Sequence, residues 1–145
     1  MSKAFTKEDD GAAPVPPPAR RGVPVPEPNV LTPAGAAAAR AELEQLQRDG
    51  ADPDRMRELS DHLATATVVR PEDRALVGFG ARVTIESESG ERRTYQFVGA
   101  IEADVKRGKL SWQSDLATAL WGARVGDAVE LPRGGEAEVV AIEYD

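Results

Sequence analysis

Residues 81–98 read ARVTIESESGERRTYQFV, and the fold turns on them. Ala81, Val83 and Ile85 alternate with Arg82, Thr84 and Glu86, which places Val83 and Ile85 on one face of a strand. Thr94, Tyr95, Gln96, Phe97 and Val98 alternate again, and Ser89-Gly90 between the two runs supplies a turn. The stretch is a β-hairpin, so the unit around it contains a sheet.

Downstream, Leu116, Ala119 and Leu120 fall at i, i+3 and i+4, which suits a short helix laid on that sheet, with Ser114 as its N-cap. Residues 128–131 and 137–144 form a second hairpin across Arg133-Gly134-Gly135, with Val129, Leu131, Val139 and Ile142 as its apolar positions. Residues 75–145 therefore read as a twisted antiparallel sheet covering one short helix, an α+β unit.

Upstream, the period changes. Thr32 is placed to cap a helix and Pro33 fits its first position, where no amide donor is needed. Ala36, Ala39, Leu43 and Leu46 then form one apolar stripe on a helix running to about Arg48. Gly50 suits a left-handed helix end, Asp52 a second N-cap and Pro53 a second first-turn position. A second stripe follows at Met56, Leu59, Leu63 and Ala66, and Pro71 closes the region. Residues 31–70 thus read as a short antiparallel αα-hairpin about 22 Å long at 1.5 Å per residue. Seam residues this small leave an isolated pair marginal, so it leans on the following unit or on a partner.

Seven of the 11 prolines precede Asn29, which marks residues 1–30 as a disordered or extended proline-rich tether. With 25 acidic against 18 basic residues the net charge is -7, and no Lys/Arg run exceeds two. That disfavours sequence-specific nucleic-acid binding and leaves a basic protein surface as an acceptable partner. There are no cysteines, so disulfides, thiolate zinc sites and thiol nucleophiles are excluded. No signal-peptide core or membrane-spanning stretch is visible, and a cytoplasmic monomer is expected. The one histidine, His62, reads as a surface residue, because no triad or histidine-rich metal site can be built from it.

Several elements recur in the order of a known family. They are Glu102-Ala103-Asp104, the run from Gly108 through Lys109, Leu110, Ser111, Trp112 and Gln113 to Ser114, then Leu116-Ala117, Ala119-Leu120, Gly122, Val125-Gly126-Asp127 and the closing Val139, Val140, Ala141, Ile142, Glu143, Tyr144. Together they resemble the C-terminal domain of the bacterial GreA/GreB transcript-cleavage factors. The opening residues 1–10 and Leu31-Thr32-Pro33-Ala34-Gly35 look like the GreB-type branch.

The resemblance implies an FKBP-like C-terminal domain that docks on RNA polymerase at the rim of its secondary channel. It also implies a helical hairpin whose tip acids help hold a catalytic magnesium ion, a hard cation that takes oxygen ligands. The docking candidates it carries over are Ser111, Trp112, Gln113, Ser114 and Asp115, although the family usually has proline where Asp115 stands and arginine where Thr118 stands. Trp112 and Trp121 flank the short helix as core or interface anchors. An FKBP-like fold by itself does not make a prolyl isomerase, and the aromatics are too scattered to line such a pocket.

The departure from the family lies at the tip. Its Gly-Asp-x-x-Glu-Asn type motif and long flanking helices are absent, and only Asp49, Asp52 and Asp54 remain in the turn. Asp52 reads as a cap and Asp54 as a first-turn carboxylate. The sequence therefore predicts a regulator that binds RNA polymerase without stimulating cleavage: not an enzyme, with no catalytic residue, no metal and no cofactor. Two alternatives stand beside it, an active cleavage factor using these three aspartates and an interaction module with a non-polymerase partner.

Overall fold

The computed structural model describes residues 22–145. The opening residues 1–10 and most of the proline-rich stretch lie outside them. The described chain holds strand β1 (Val30–Leu31), helices α1 (Pro33–Asp49) and α2 (Pro53–Thr65), and strand β2 (Thr67–Val68). Strands β3 (Arg82–Ser87), β4 (Arg92–Val98) and β5 (Lys109–Ser111), helix α3 (Asp115–Leu120), and strands β6 (Ala128–Glu130) and β7 (Glu136–Glu143) follow. The architecture is α+β.

Both expected helix starts are present. The Thr32 hydroxyl accepts from the Gly35 amide at 2.9 Å, and the Asp52 carboxylate accepts from the Arg55 amide at 3.2 Å. Gly50 ends α1 at φ 63°, a left-handed conformation that glycine adopts without a Cβ penalty. The chain reverses there, and α1 and α2 pack on each other.

The sheet has the order β5-β4-β3-β7-β6, with β3 at its centre. Strand β3 pairs antiparallel with β4 and with β7, and β6 with β7. Strand β5, however, runs parallel to β4, pairing Phe97 with Leu110. The sheet is therefore mixed and not wholly antiparallel as expected. The cause is the connection: a parallel neighbour needs a long crossover, and residues 99–108 supply one, containing two 3₁₀ turns, Ala100–Glu102 and Val105–Arg107.

Two cores result. Val83, Ile85, Phe97 and Val139 from the sheet close over Ala117 and Leu120 of α3, and Val77, Ala81 and Ala137 are buried in the same cluster. A fully buried side chain of this size stabilises by about 1.5–3 kcal/mol. The second core joins Leu31, Ala36, Ala39 and Leu59 with Val23 and with Ile101 from the crossover.

The inward face of α2 is rotated from the expected stripe. Arg55, Leu59 and His62 are buried, whereas Met56 and Leu63 are only half-buried. His62 is 1% exposed, so the reading of a surface histidine is corrected. The reason is Val23, whose chain segment lies across α2 and covers the ring.

The short parallel pair β1–β2 matches Val30 with Thr67 and Leu31 with Val68. Beside it, the Asn29 side-chain amide donates to the His62 carbonyl at 2.7 Å and to the Thr65 hydroxyl at 3.0 Å. Asn29 thus satisfies one of the carbonyls that the end of α2 leaves without a helical partner.

Candidate functional site

The segment from Ser111 to Asp115 links β5 to α3 and is a tight turn built from its own hydroxyls. Ser111 Oγ accepts from the Gln113 amide at 3.1 Å, and the Ser114 amide donates to the Ser111 carbonyl at 2.9 Å. Ser114 Oγ accepts from the Ala117 amide at 3.3 Å, which caps α3. Both serine side chains are thereby committed to shaping the turn. Gln113 and Asp115 are exposed.

Trp112 fixes the turn to the sheet. Its amide donates to the Val98 carbonyl at 2.9 Å, and its ring meets Phe79 edge-to-face with centroids 6.2 Å apart. The Trp121 ring also meets it, with centroids 6.2 Å apart and the planes tilted by 46°. Trp121 is 43% exposed, so a large apolar ring with one indole donor stands at the surface beside the turn. Such amphipathic aromatics supply much of the binding energy at protein interfaces. Val125, in the following loop, is 59% exposed.

At the far end of α1 and α2 the three aspartates do not converge. Asp49 accepts twice from the Gln45 side chain at 3.1 Å, Asp52 serves as the cap, and Asp54 lies 3.9 Å from Arg57. Among the described residues no three histidine, aspartate or glutamate side chains are grouped so as to hold a metal ion. The donor set at this turn therefore does not fit a preformed magnesium site, and no step is derived through one.

Residues 71–144 match the family model for transcription elongation factor GreA/GreB, C-terminal. The chain belongs to the GreA/GreB family. The match contains the whole five-stranded sheet, α3 and the turn that joins them.

Among curated members of the GreA/GreB family, transcription elongation factor GreA of Paracoccus denitrificans is 43% identical over 95 residues, 62% of this chain and 61% of that protein. GreA of Verminephrobacter eiseniae is 37% identical over 134 residues, covering 83% of this chain and 85% of that one. The chain thus spans about three fifths of the length of relatives such as the Paracoccus protein. Among solved structures, the GreA/GreB factor of Nitrosomonas europaea aligns with 79% of this chain and 97% of its own, at 27% identity and TM-score 0.44. GreA factor homolog 1 of Thermus thermophilus aligns over 79% and 97% at 30% identity and TM-score 0.43.

These relatives correct one expectation. A chain reading as no enzyme stands against a set of relatives named GreA, the class of transcript-cleavage factor to which its motifs pointed. The expectation rested on a missing tip motif, and loss of a motif is not loss of carboxylates: Asp49 and Asp54 remain exposed at the turn. No described helix is long and apolar enough to cross a membrane.

Sequence reasoning reached the turn and both tryptophans. It counted Phe79 only among the scattered aromatics and did not foresee its edge-to-face contact with Trp112 from a loop more than thirty residues earlier. An isolated phenylalanine between glycines, at Gly78-Phe79-Gly80, was the signal available.

Proposed function

We propose that this chain binds bacterial RNA polymerase at the rim of the secondary channel, with residues 75–145 as an FKBP-like docking unit and residues 31–70 as a short antiparallel arm. Gln113, Asp115, Trp112 and Trp121 form the docking face. The observation that carries the reading is the exposed Trp121 ring, tilted against Trp112 beside a hydroxyl-built turn, in the part of the chain that matches the family. A net charge of -7 favours a basic rim over nucleic acid as the contacted surface.

The arm sets how strongly a docked chain acts on transcript cleavage. Helix α1 has 17 residues, about 25 Å at 1.5 Å per residue, so the arm reaches the channel entrance and its effect on hydrolysis is reduced relative to a long-armed factor. A second reading, full cleavage stimulation through the tip, is favoured by the exposure of Asp49 and Asp54.

Co-sedimentation with core RNA polymerase tests docking. The parent chain is expected to bind and Trp121→Glu to lose at least about tenfold in affinity, as for an interface anchor. A parent chain that does not bind moves the assignment to a non-polymerase partner. A cleavage assay on backtracked complexes separates the two readings of the arm: strong stimulation that vanishes in Asp49→Ala/Asp54→Ala supports the second.

A further inference from the structure

The 3₁₀ turn Ala100–Glu102 belongs to the sheet by chain and to the arm by packing. It follows β4 closely, yet Ile101 is buried among Leu31, Ala36, Ala39 and Leu59. Beside it, Glu102 turns its carboxylate to the start of α1. Oε2 accepts from the Thr32 amide at 2.9 Å and from the Gly99 amide at 3.0 Å, and Oε1 accepts from the Thr32 hydroxyl at 2.5 Å. Charge-assisted bonds of this kind are the strong ones.

The arrangement is a capping box completed from a distance. In the local version the third helical residue supplies the carboxylate that bonds the N-cap amide. Here the N-cap is Thr32 and the third helical residue is Gly35, which has no side chain to offer. Glu102 takes that part from 70 residues along the chain. Gly35 is what admits it, since a Cβ there would overlap the Glu102 carboxyl group. Gly99 makes a similar allowance, because a Cβ on it would meet the Val30 carbonyl.

From Glu102 a bonded path runs on to the docking turn. Asp104 and Lys109 exchange backbone hydrogen bonds at 2.7 and 2.9 Å, and Lys109 opens β5, which delivers Ser111. We propose that Glu102 is a positioning residue: it locks the direction of the arm on the sheet unit, so that the docking turn and the arm move as one body. The consequence for transcription rests on the docking reading above, whereas the lock is a property of the free chain.

The absence of native cysteines allows clean labelling at exposed Glu44 on α1 and Glu138 on β7. In a Glu44→Cys/Glu138→Cys protein carrying spin labels, the interlabel distance distribution is expected to be narrow, and Glu102→Gln is expected to keep it so. Glu102→Ala and Gly35→Ala are expected to broaden it about twofold, because the released arm samples further orientations. If Glu102→Ala does not fold by circular dichroism, Thr32→Val removes one bond of the same lock and is expected to broaden the distribution to a smaller extent. An unchanged width in a folded Glu102→Ala or Thr32→Val protein would overturn the lock.

On core RNA polymerase, Glu102→Ala is expected to bind within about threefold of the parent while losing most of its effect on elongation, a split that lost docking contacts would not give. Full effect on elongation in that variant would overturn the coupling. Failure of the parent chain itself to bind counts against the docking reading and leaves the distance result standing.

Discussion

The imidazole Nε2 of His62 lies 2.8 Å from the carbonyl oxygen of Val23, inside a site where the ring is 1% exposed. A carbonyl only accepts, so Nε2 carries the proton, and the Val23 amide in turn donates to Glu58 at 2.6 Å. Val23 is thereby clasped to α2 through both of its backbone groups. His62→Ala removes the donor and leaves a void, and is expected to destabilise the chain by about 2 kcal/mol. Urea denaturation checks it, and a surface-like change below about 0.5 kcal/mol would contradict the clasp.

Arg55 joins α2 to α1. Its guanidinium, 5% exposed, meets Glu42 at 2.8 and 3.0 Å and Glu58 at 2.7 Å. Removing one partner of a fully buried pair costs about 3–5 kcal/mol, and Glu42 is 40% exposed, so Arg55→Ala is expected nearer about 2–3 kcal/mol. Arg55→Lys is expected to recover only part, because an ammonium cannot reproduce the paired contact with Glu42. Hydrogen exchange should show the loss first in α1 and α2.

Acid should loosen the same region. Burial alone would raise the Glu58 carboxyl, but the Arg55 hydrogen bond, the Val23 amide and the Arg55 charge outweigh it and hold it below its usual 4.5. The folded chain therefore binds this proton less readily than the unfolded one. Its stabilising contribution is complete above about 4.5 and is lost as the pH falls through the depressed folded value. Asp145, held down first by its hydrogen bond from Arg82, adds a contribution of the same sign. Urea midpoints between about pH 6 and pH 3 are expected to fall with pH, and more gently in Glu58→Gln.

Asp52 separates a structural from a chemical role at the arm's tip. Its φ of 52° is left-handed, a region costly for most residues, while its carboxylate caps α2. Asp52→Ala keeps the backbone cost and loses the cap, for an expected loss of about 1 kcal/mol. Asp52→Gly gives up the cap but relieves the backbone, and is expected within a few tenths of the parent. An order of stability with alanine above glycine would contradict this assignment.

What the sequence revealed depended on the range of the signal. Thr32, Gly50, Asp52 and Ser114 were legible because caps act within three or four residues. The alternation of Val83 with Ile85 and of Tyr95 with Phe97 gave the central hairpin in the same way. The alternation of Leu110 with Trp112 marked a strand where β5 lies, but its parallel pairing depends on a crossover that the local sequence does not announce. The face of α2 was misjudged because Arg55 and His62 count as polar in any periodic reading, and their burial is arranged by Glu42 and Val23. The turn proposed for docking was singled out through motif resemblance, whereas the bond from Glu102 to Thr32 spans 70 residues and needed the fold.

The central claim is that the turn at Ser111 to Asp115, with the Trp112–Trp121 pair, addresses the chain to RNA polymerase. The direct measurement is competition of the unlabelled full chain against a labelled long-armed cleavage factor on core polymerase. The account predicts complete, saturable displacement by the parent chain and at least about tenfold weaker displacement by Trp121→Glu, with Asp49→Ala/Asp54→Ala displacing as the parent does. No displacement by the parent chain, or equal displacement by Trp121→Glu, would contradict it.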